Sequence, residues 1–395
     1  MRIAFVNHSR RKVGGAEVYL GAVIPAFARA GHELACLFED DPDSTHDRIS
    51  IPDEVPQWCV SASSSTMALA SLREWHPDIC FVHGLHDPDL EAAVVALGCG
   101  ALYVHNYYGT CISGNKTVDG STPGPCQRQF GPQCLLHYFP DHCGGRNPFT
   151  MLSRYRLQSR RLELMRRYRA LIANSGYMAR ELSAHGLHSD CVYPFTGSVN
   201  AAPPCSHDFA TDPLRLMFAG RMHALKGGHL LIDSLPDIQR RLARRLSLTF
   251  AGDGPERGSW EKQARTITSE AVAFEFTGWL SAVEVQRRIA NSHLLIMPSI
   301  WPEPFGLSGL EAGQLGVPTV TFAVGGIPEW LHDGINGHLA SLPATSRSLA
   351  DAVVKSLSDP DHYRQLCTGA FARSAAYSLD AHLAQLLQIF ERCTA

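Results

Sequence analysis

In the stretch SIWPEPFGLSGLEAG, from Ser299 to Gly313, two carboxylates, Glu303 and Glu311, bracket seven residues that are otherwise apolar, glycine or a single serine. Paired carboxylates first suggest an acid and a base for proton transfer. The local sequence argues for something else. Pro302 and Pro304 exclude a helix through Glu303, whereas GLSGLEAGQLG supports a short helix beginning near Gly306 or Leu307. Glu303 then lies ahead of the helix and Glu311 about one turn inside it. The amides of Phe305, Gly306, Leu307 and Ser308 face the same space, and the helix dipole favours an anion there. Such an arrangement suits a ligand with phosphates at its centre and hydroxyl-bearing groups at both ends, because carboxylates accept hydrogen bonds from hydroxyls. The competing reading is an ordinary first-turn glutamate beside an unrelated surface one.

A second cationic signal stands in FAGRMHALKGG, where Gly220 ends a strand pattern and Arg221 and Lys226 occupy the turn before the next helix. A planar guanidinium fork and a point charge at a strand's carboxyl end suit a diphosphate, although two surface charges would read the same way in isolation. In the first half, VGGAE places Gly14 and Gly15 at a helix N-terminus, where a substrate or phosphate can approach the backbone, although a tight turn with no ligand reads the same way. It is not G-x-G-x-x-G, so a nicotinamide-dependent oxidoreductase lacks its fingerprint.

These residues need a scaffold that brings strand ends together. The β-rich runs RIAFVN, ELACLF, DICFVHG and ALYVH, then LRLMFAG, LSLTFAGDG, VAFEFTG, HLLIMP and VPTVTF, alternate with helical patterns along all 395 residues. Continuous apolar strands separated by helices predict an α/β protein with parallel sheets covered on both faces. Gly197–Pro213 is rich in proline and small residues and reads as a linker. The expected organisation is two Rossmann-like doubly wound domains facing across a cleft: residues 1–200 with a cysteine-rich insertion at 109–147, residues 201–377, and a final helix at 378–395 crossing back onto the first domain. In open parallel sheets, ligands bind beyond the carboxyl ends of the strands.

With 45% hydrophobic and 18% charged residues, the composition is that of a globular protein, and a formal charge of −3 argues against nucleic acid as a partner. From Arg146 to Arg169, eight arginines face one glutamate, with Leu152, Tyr155, Leu162, Met165 and Tyr168 at helical spacing. This predicts a helix with a basic face that is solvated, or that meets an anionic acceptor or peripherally contacts a membrane. The longest apolar run, Ala92–Val104, is too short to span a bilayer, and MRIAFVNH goes straight into a strand pattern without a signal-peptide pattern, so a cytoplasmic location with reduced cysteines is expected. Four of the twelve cysteines, Cys111, Cys126, Cys134 and Cys143, cluster as C-x14-C-x7-C-x8-C. Structural zinc, free thiols and disulfides all remain open, because the tight C-x2-C pairs that mark zinc sites are missing.

Taken together, these motifs resemble the retaining glycosyltransferases of the GT-B fold, family four, over nearly the whole chain. The most specific part is E-x7-E, Glu303 to Glu311, flanked by GRMHALKGG, FAGDGPE, GWL and VGGIPEWLHDGINGHL. The resemblance implies that the C-terminal domain binds a nucleotide diphosphate sugar, with a UDP-sugar favoured over a GDP-sugar. Arg221 and Lys226, next to Gly220, would then neutralise the diphosphate, and Glu311 would bind ribose. Glu303 would bind the transferred sugar with the amides of Phe305, Gly306 and Leu307, beside Ser308. Gly14 and Gly15 would approach the donor phosphate. His105, in YVHNYYG, matches a histidine near the reacting carbon, with Asn106 where aspartate is more usual; His83 and Ser175 are further cleft candidates. The acceptor would be a hydroxylated molecule, and catalysis would require no cofactor. A non-catalytic nucleotide-sugar-binding protein of the same fold is the alternative.

Overall fold

The computed structural model describes residues 1–11, 14–41, 48–118, 124–197 and 209–395. The chain forms two compact units. One comprises Met1–Thr122, Cys126–Tyr193 and Leu379–Ala395; the other comprises Pro194–Ser378 with Pro123–Pro125. Most of the Gly197–Pro213 linker, including the boundary at residues 200 and 201, lies outside the described residues.

In the first unit a seven-stranded sheet runs Gln57–Cys59, Glu33–Asp40, Arg2–Ser9, Ile79–Gly84, Gly100–Val104, Ala170–Ala173 and Asp190–Cys191, every pairing parallel. In the second, six parallel strands run Val272–Gly278, Leu246–Ala251, Leu214–Ala219, Leu294–Met297, Thr319–Phe322 and Gly337–Ala340. Both sheets grow outward in opposite directions from the pair holding the unit's first strand. That reversal opens a crevice at the strand carboxyl ends. The interiors of Arg2–Ser9 and Leu294–Met297 are buried on both faces, which is why those strands read as unbroken apolar runs.

The helix Leu379–Thr394 belongs to the first unit. Its Phe390 packs on Phe27 and Phe81, and its His382 meets Tyr19 and Tyr103. The basic helix spans Pro148–Met165, and two of its polar residues depart from the expected solvated face. Arg161 is buried, donating to the carbonyls of Leu85 at 2.9 Å and His86 at 3.3 Å, while Gln158 accepts from the Gly109 amide at 2.7 Å. Loop carbonyls and amides that lie far away in sequence need partners, and these long side chains supply them.

The insertion has a small core of its own: Ile112, Phe130 and Tyr138, with Cys134, Leu135, Cys143 and Met151 packed on it. A buried Lys116 ties it down through the Arg128 carbonyl and Glu181, each at 2.6 Å. Cys111, Cys126, Cys134 and Cys143 are free thiols. Burial, then the nearness of the other three, pushes Cys143 up to about 12. Their sulfurs do not close a ligand set: among the described residues, the only group of three or more metal-ligand atoms within 4.8 Å of one another lies elsewhere.

Candidate functional site

In the second unit, the strand Leu214–Ala219 runs into Gly220, whose amide is held by the Ala251 carbonyl at 2.9 Å. Arg221 follows, exposed and, among the described residues, without an ion pair. His223 then caps a single 3-10 turn, Ala224–Lys226, by accepting from the Leu225 amide at 3.2 Å. Gly227 turns the chain into the helix Gly228–Leu242 with φ of +67°, and a Cβ there would stand 1.9 Å from the Pro298 carbonyl oxygen. Only glycine lets these two backbones come so close. The contact continues at the Leu225 carbonyl, which accepts from the amides of Ile300 at 2.9 Å and Trp301 at 3.1 Å. The cationic turn and the Glu303 loop are therefore docked backbone to backbone.

That docking delivers Lys226 to Glu303. Its Nζ donates to Glu303 Oε1 at 2.6 Å and lies 4.8 Å from the centroid of the Trp301 ring. The Glu303 side chain is 7% exposed and that of Lys226 30%, so the pair is largely shielded from water while the ammonium keeps an open side. Residues 298–306 form no helix, and the helix Leu307–Gln314 starts behind Gly306 at φ +84°, with no side-chain cap. Glu311 lies one turn inside it. No donor among the described residues reaches its carboxylate, and burial alone pushes its carboxyl above the ordinary value. A half-buried acceptor without a protein donor suits a ligand that brings its own hydrogens.

The stretch VGGIPEW closes the back of this loop. The Glu303 carbonyl accepts from the Gly326 amide at 2.8 Å, and Trp330 Nε1 donates to the Phe305 carbonyl at 2.7 Å. Gly325 has φ of +61°, and a Cβ there would meet the Glu303 carbonyl oxygen at 2.0 Å. Gly325→Ala therefore combines a left-handed backbone with a clash that no rotamer relieves. We expect it to cost more than about 2 kcal/mol and to displace Glu303; a thermal melt no more than a degree or two below the parent would contradict this.

In the first unit, Gly14 and Gly15 stand at the head of the helix Gly15–Arg29, but the Gly14 amide already donates to Glu17 Oε2 at 2.8 Å. A carboxylate thus holds part of the place expected for phosphate. His105, at the end of Gly100–Val104, shares a hydrogen bond of 2.9 Å with Nδ1 of the buried His83 through its own Nε2. Burial, and then His382, pulls His105 down to about 3. His382 donates or accepts at 2.7 Å with the Tyr19 hydroxyl and at Nδ1 meets the Tyr193 carbonyl at 2.8 Å, and burial lowers it to about 4. Ser175 is fully buried and accepts from the Met178 amide at 3.0 Å, capping the helix Gly176–Ala184. Tyr19, whose ring lies edge-on to His105, and His382, which bonds the Tyr19 hydroxyl, were not among the residues singled out from sequence. Their signal, an aromatic and a histidine on two helices far apart in the chain, has no meaning until the helices meet.

The chain matches two protein families in succession: residues 13–194 match Glycosyltransferase Family 4, and residues 205–373 match Glycosyl transferases group 1. Glycogen synthase of Mycobacterium tuberculosis is 35% identical over 150 residues, 38% of this chain and 35% of that protein. D-inositol 3-phosphate glycosyltransferase of Frankia alni is 31% identical over 175 residues, 42% of each. The matches thus span about a third to a half of these relatives' length. Over whole chains, the crystal structure of Anabaena Alr3699/HepE in complex with UDP superposes with a TM-score of 0.69 at 17% identity, covering 99% of this chain and 100% of that one. WaaG, a glycosyltransferase involved in lipopolysaccharide biosynthesis, superposes with a TM-score of 0.68 at 16% identity, covering 97% and 99%.

Proposed function

We propose that this chain, a GT-B glycosyltransferase built from a Family 4 domain and a group 1 domain, moves a hexose-type sugar from a nucleotide diphosphate sugar to a hydroxyl of a sugar-containing or small-molecule acceptor, with retention. The observation that carries this reading is the unequal state of the two glutamates. Glu303 is already paired with a lysine, while Glu311 is half-buried, has its carboxyl raised by burial and lacks a protein donor among the described residues. A ligand with phosphates near Lys226 and hydroxyls at each end answers both needs.

In this reading the exposed Arg221 and the open side of Lys226 neutralise the diphosphate, and Glu311 takes the ribose hydroxyls. Glu303, kept in place by Lys226, takes hydroxyls of the transferred sugar. The amides of Gly306, Leu307 and Ser308, at a helix start without a side-chain cap, supply further donors to growing negative charge. The acceptor oxygen forms its bond to the anomeric carbon on the face from which the diphosphate departs, and its proton passes to the leaving phosphate oxygen. No protein base is then needed, and catalysis rests on positioning and charge stabilisation. His105, in the first unit, is held as a neutral imidazole by burial and then His382, a form able to hydrogen-bond a hydroxyl. UDP is the favoured nucleotide, because the Anabaena HepE structures hold UDP and UDP-glucose. No helix among the described residues is long and apolar enough to cross a membrane. The acceptor in this reading is a soluble molecule of small-molecule or cell-envelope glycoside assembly.

A thermal-shift screen with UDP-glucose, UDP-N-acetylglucosamine and GDP-mannose, followed by nucleoside diphosphate release against an acceptor panel, tests the proposal. We expect a UDP-sugar to raise the melting temperature and Glu303→Gln to abolish release. Stabilisation without release for any acceptor would favour a binding protein. Release that survives in Glu303→Gln would remove the mechanism.

A further inference from the structure

In the first unit, three chemically matched side chains meet at the carboxyl end of the sheet. The parallel register pairs Asn7 with Phe38 and Ser9 with Asp40, so His8 and Glu39 lie side by side between them at the carboxyl ends of neighbouring strands. His86 arrives from the loop after Ile79–Gly84, the strand on the other side of Arg2–Ser9. Its ring stacks on that of His8, with centroids 3.5 Å apart and 24° between planes.

The carboxylate of Glu39 is held unusually firmly. Its Oε1 accepts from the amides of Asp87 at 2.7 Å and His86 at 2.9 Å; its Oε2 accepts from the His86 amide at 2.8 Å and meets His8 Nδ1 at 2.5 Å. Backbone donors of this kind fix a carboxylate's direction in the way that outer-sphere hydrogen bonds orient metal ligands. One ligand atom from each of His8, Glu39 and His86 lies within 4.8 Å of the other two. Ligands of a tetrahedral zinc ion stand about 3.3 Å apart, given metal-to-ligand bonds of about 2.0–2.2 Å. Adjustments of about an ångström would close the set, and His86 is exposed while the His8 side chain is 35% exposed, so both rings have room to make them. An incoming cation would replace the proton that now joins His8 Nδ1 to Glu39, with the imidazole proton moving to Nε2.

We propose that His8, Glu39 and His86 form a binding site for a zinc-class divalent cation, with a further coordination position open to water or to a hydroxyl or anionic group of a ligand. Two imidazole nitrogens and one carboxylate oxygen suit zinc, cobalt or nickel better than magnesium or calcium, which prefer all-oxygen sets. The site stands independently of the transferase reading, since cation binding here needs neither a donor sugar nor turnover.

The test is cobalt titration of the full chain after chelator treatment, followed by visible absorption and calorimetry, with Co2+ alone as the probe. One ion should bind with weak visible bands and no sulfur charge-transfer absorption. His8→Ala and His86→Ala should each weaken binding by at least about 100-fold, the upper end of what loss of an outer-sphere partner costs. His86 is exposed and His8 partly so, and these variants should melt as the parent does without metal; Glu39→Gln is less informative, because it also loosens the loop at His86 and Asp87. No Co2+ binding, binding unchanged in both histidine variants, or a sulfur charge-transfer band that disappears in Cys134→Ser/Cys143→Ser would each overturn the proposal.

Discussion

Lys226→Ala is expected to lower kcat/KM by roughly 10²–10³-fold, the usual loss when one preorganised charge is removed from an active site. It also leaves Glu303, whose side chain is 7% exposed, as a carboxylate without its cation. The stability loss from breaking a shielded pair on one side is on the order of 3 kcal/mol. The two effects separate in a second variant. Lys226→Met with Glu303→Gln removes both charges together, so thermal stability should return close to that of the parent while transfer stays lost. If single and double variants melt alike, the ion pair is not what holds the loop. If the single variant keeps its kcat/KM, Lys226 has no part in the chemistry.

The first unit should weaken steeply in mild acid. His105 and His382 are held at about 3 and about 4, against an ordinary value of 6.5. Below pH 6.5 the unfolded chain takes up protons that the folded unit refuses, so stability is full above that value and is lost as pH falls toward 4. Each group contributes a slope of about 1.4 kcal/mol per pH unit, so the pair removes roughly 4 kcal/mol between pH 7.5 and pH 5. Urea denaturation at those two values checks it; the buried His83, also held well below its ordinary value, adds to the loss, so His382→Asn should remove about 2 kcal/mol of the difference rather than all of it. Equal stability at both pH values, or a difference untouched by that variant, would count against neutral burial of these rings. Any activity profile measured below pH 6 would then report this loss together with catalysis.

Much of the scaffold was legible because parallel strands covered on both faces must be apolar throughout, as in RIAFVN and HLLIMP. The strands that escaped notice, Gln57–Cys59, Ala170–Ala173, Asp190–Cys191 and Gly337–Ala340, are two to four residues long, too short to carry a periodicity. The helix start behind Gly306 could be read from Pro302, Pro304 and the glycines, since those restrictions are local. Contacts across the chain could not. Lys226 and Glu303 are 77 residues apart, and nothing in either neighbourhood says that the Leu225 carbonyl will bind the amides of Ile300 and Trp301. Arg161 was read as part of an outward basic face, solvated or meeting an anionic acceptor or a membrane, because charge predicts exposure only when no buried carbonyl needs a donor. Gly14 looked open to phosphate because the return of Glu17 to its amide is a matter of side-chain rotamer, not of residue type.

The close approach of Gly325 and Gly326 to the Glu303–Pro304 backbone sets the unit in which this site can be transplanted. A designer who grafts residues 298–313 alone onto a related scaffold moves the glutamates without the surface they are moulded against. Residues 225–228 and 324–330 must travel with them, because each presents glycine where the other stretch presents a carbonyl. The portable module is therefore three short segments with matched backbones, and specificity libraries should vary the side chains within it while leaving those seams untouched.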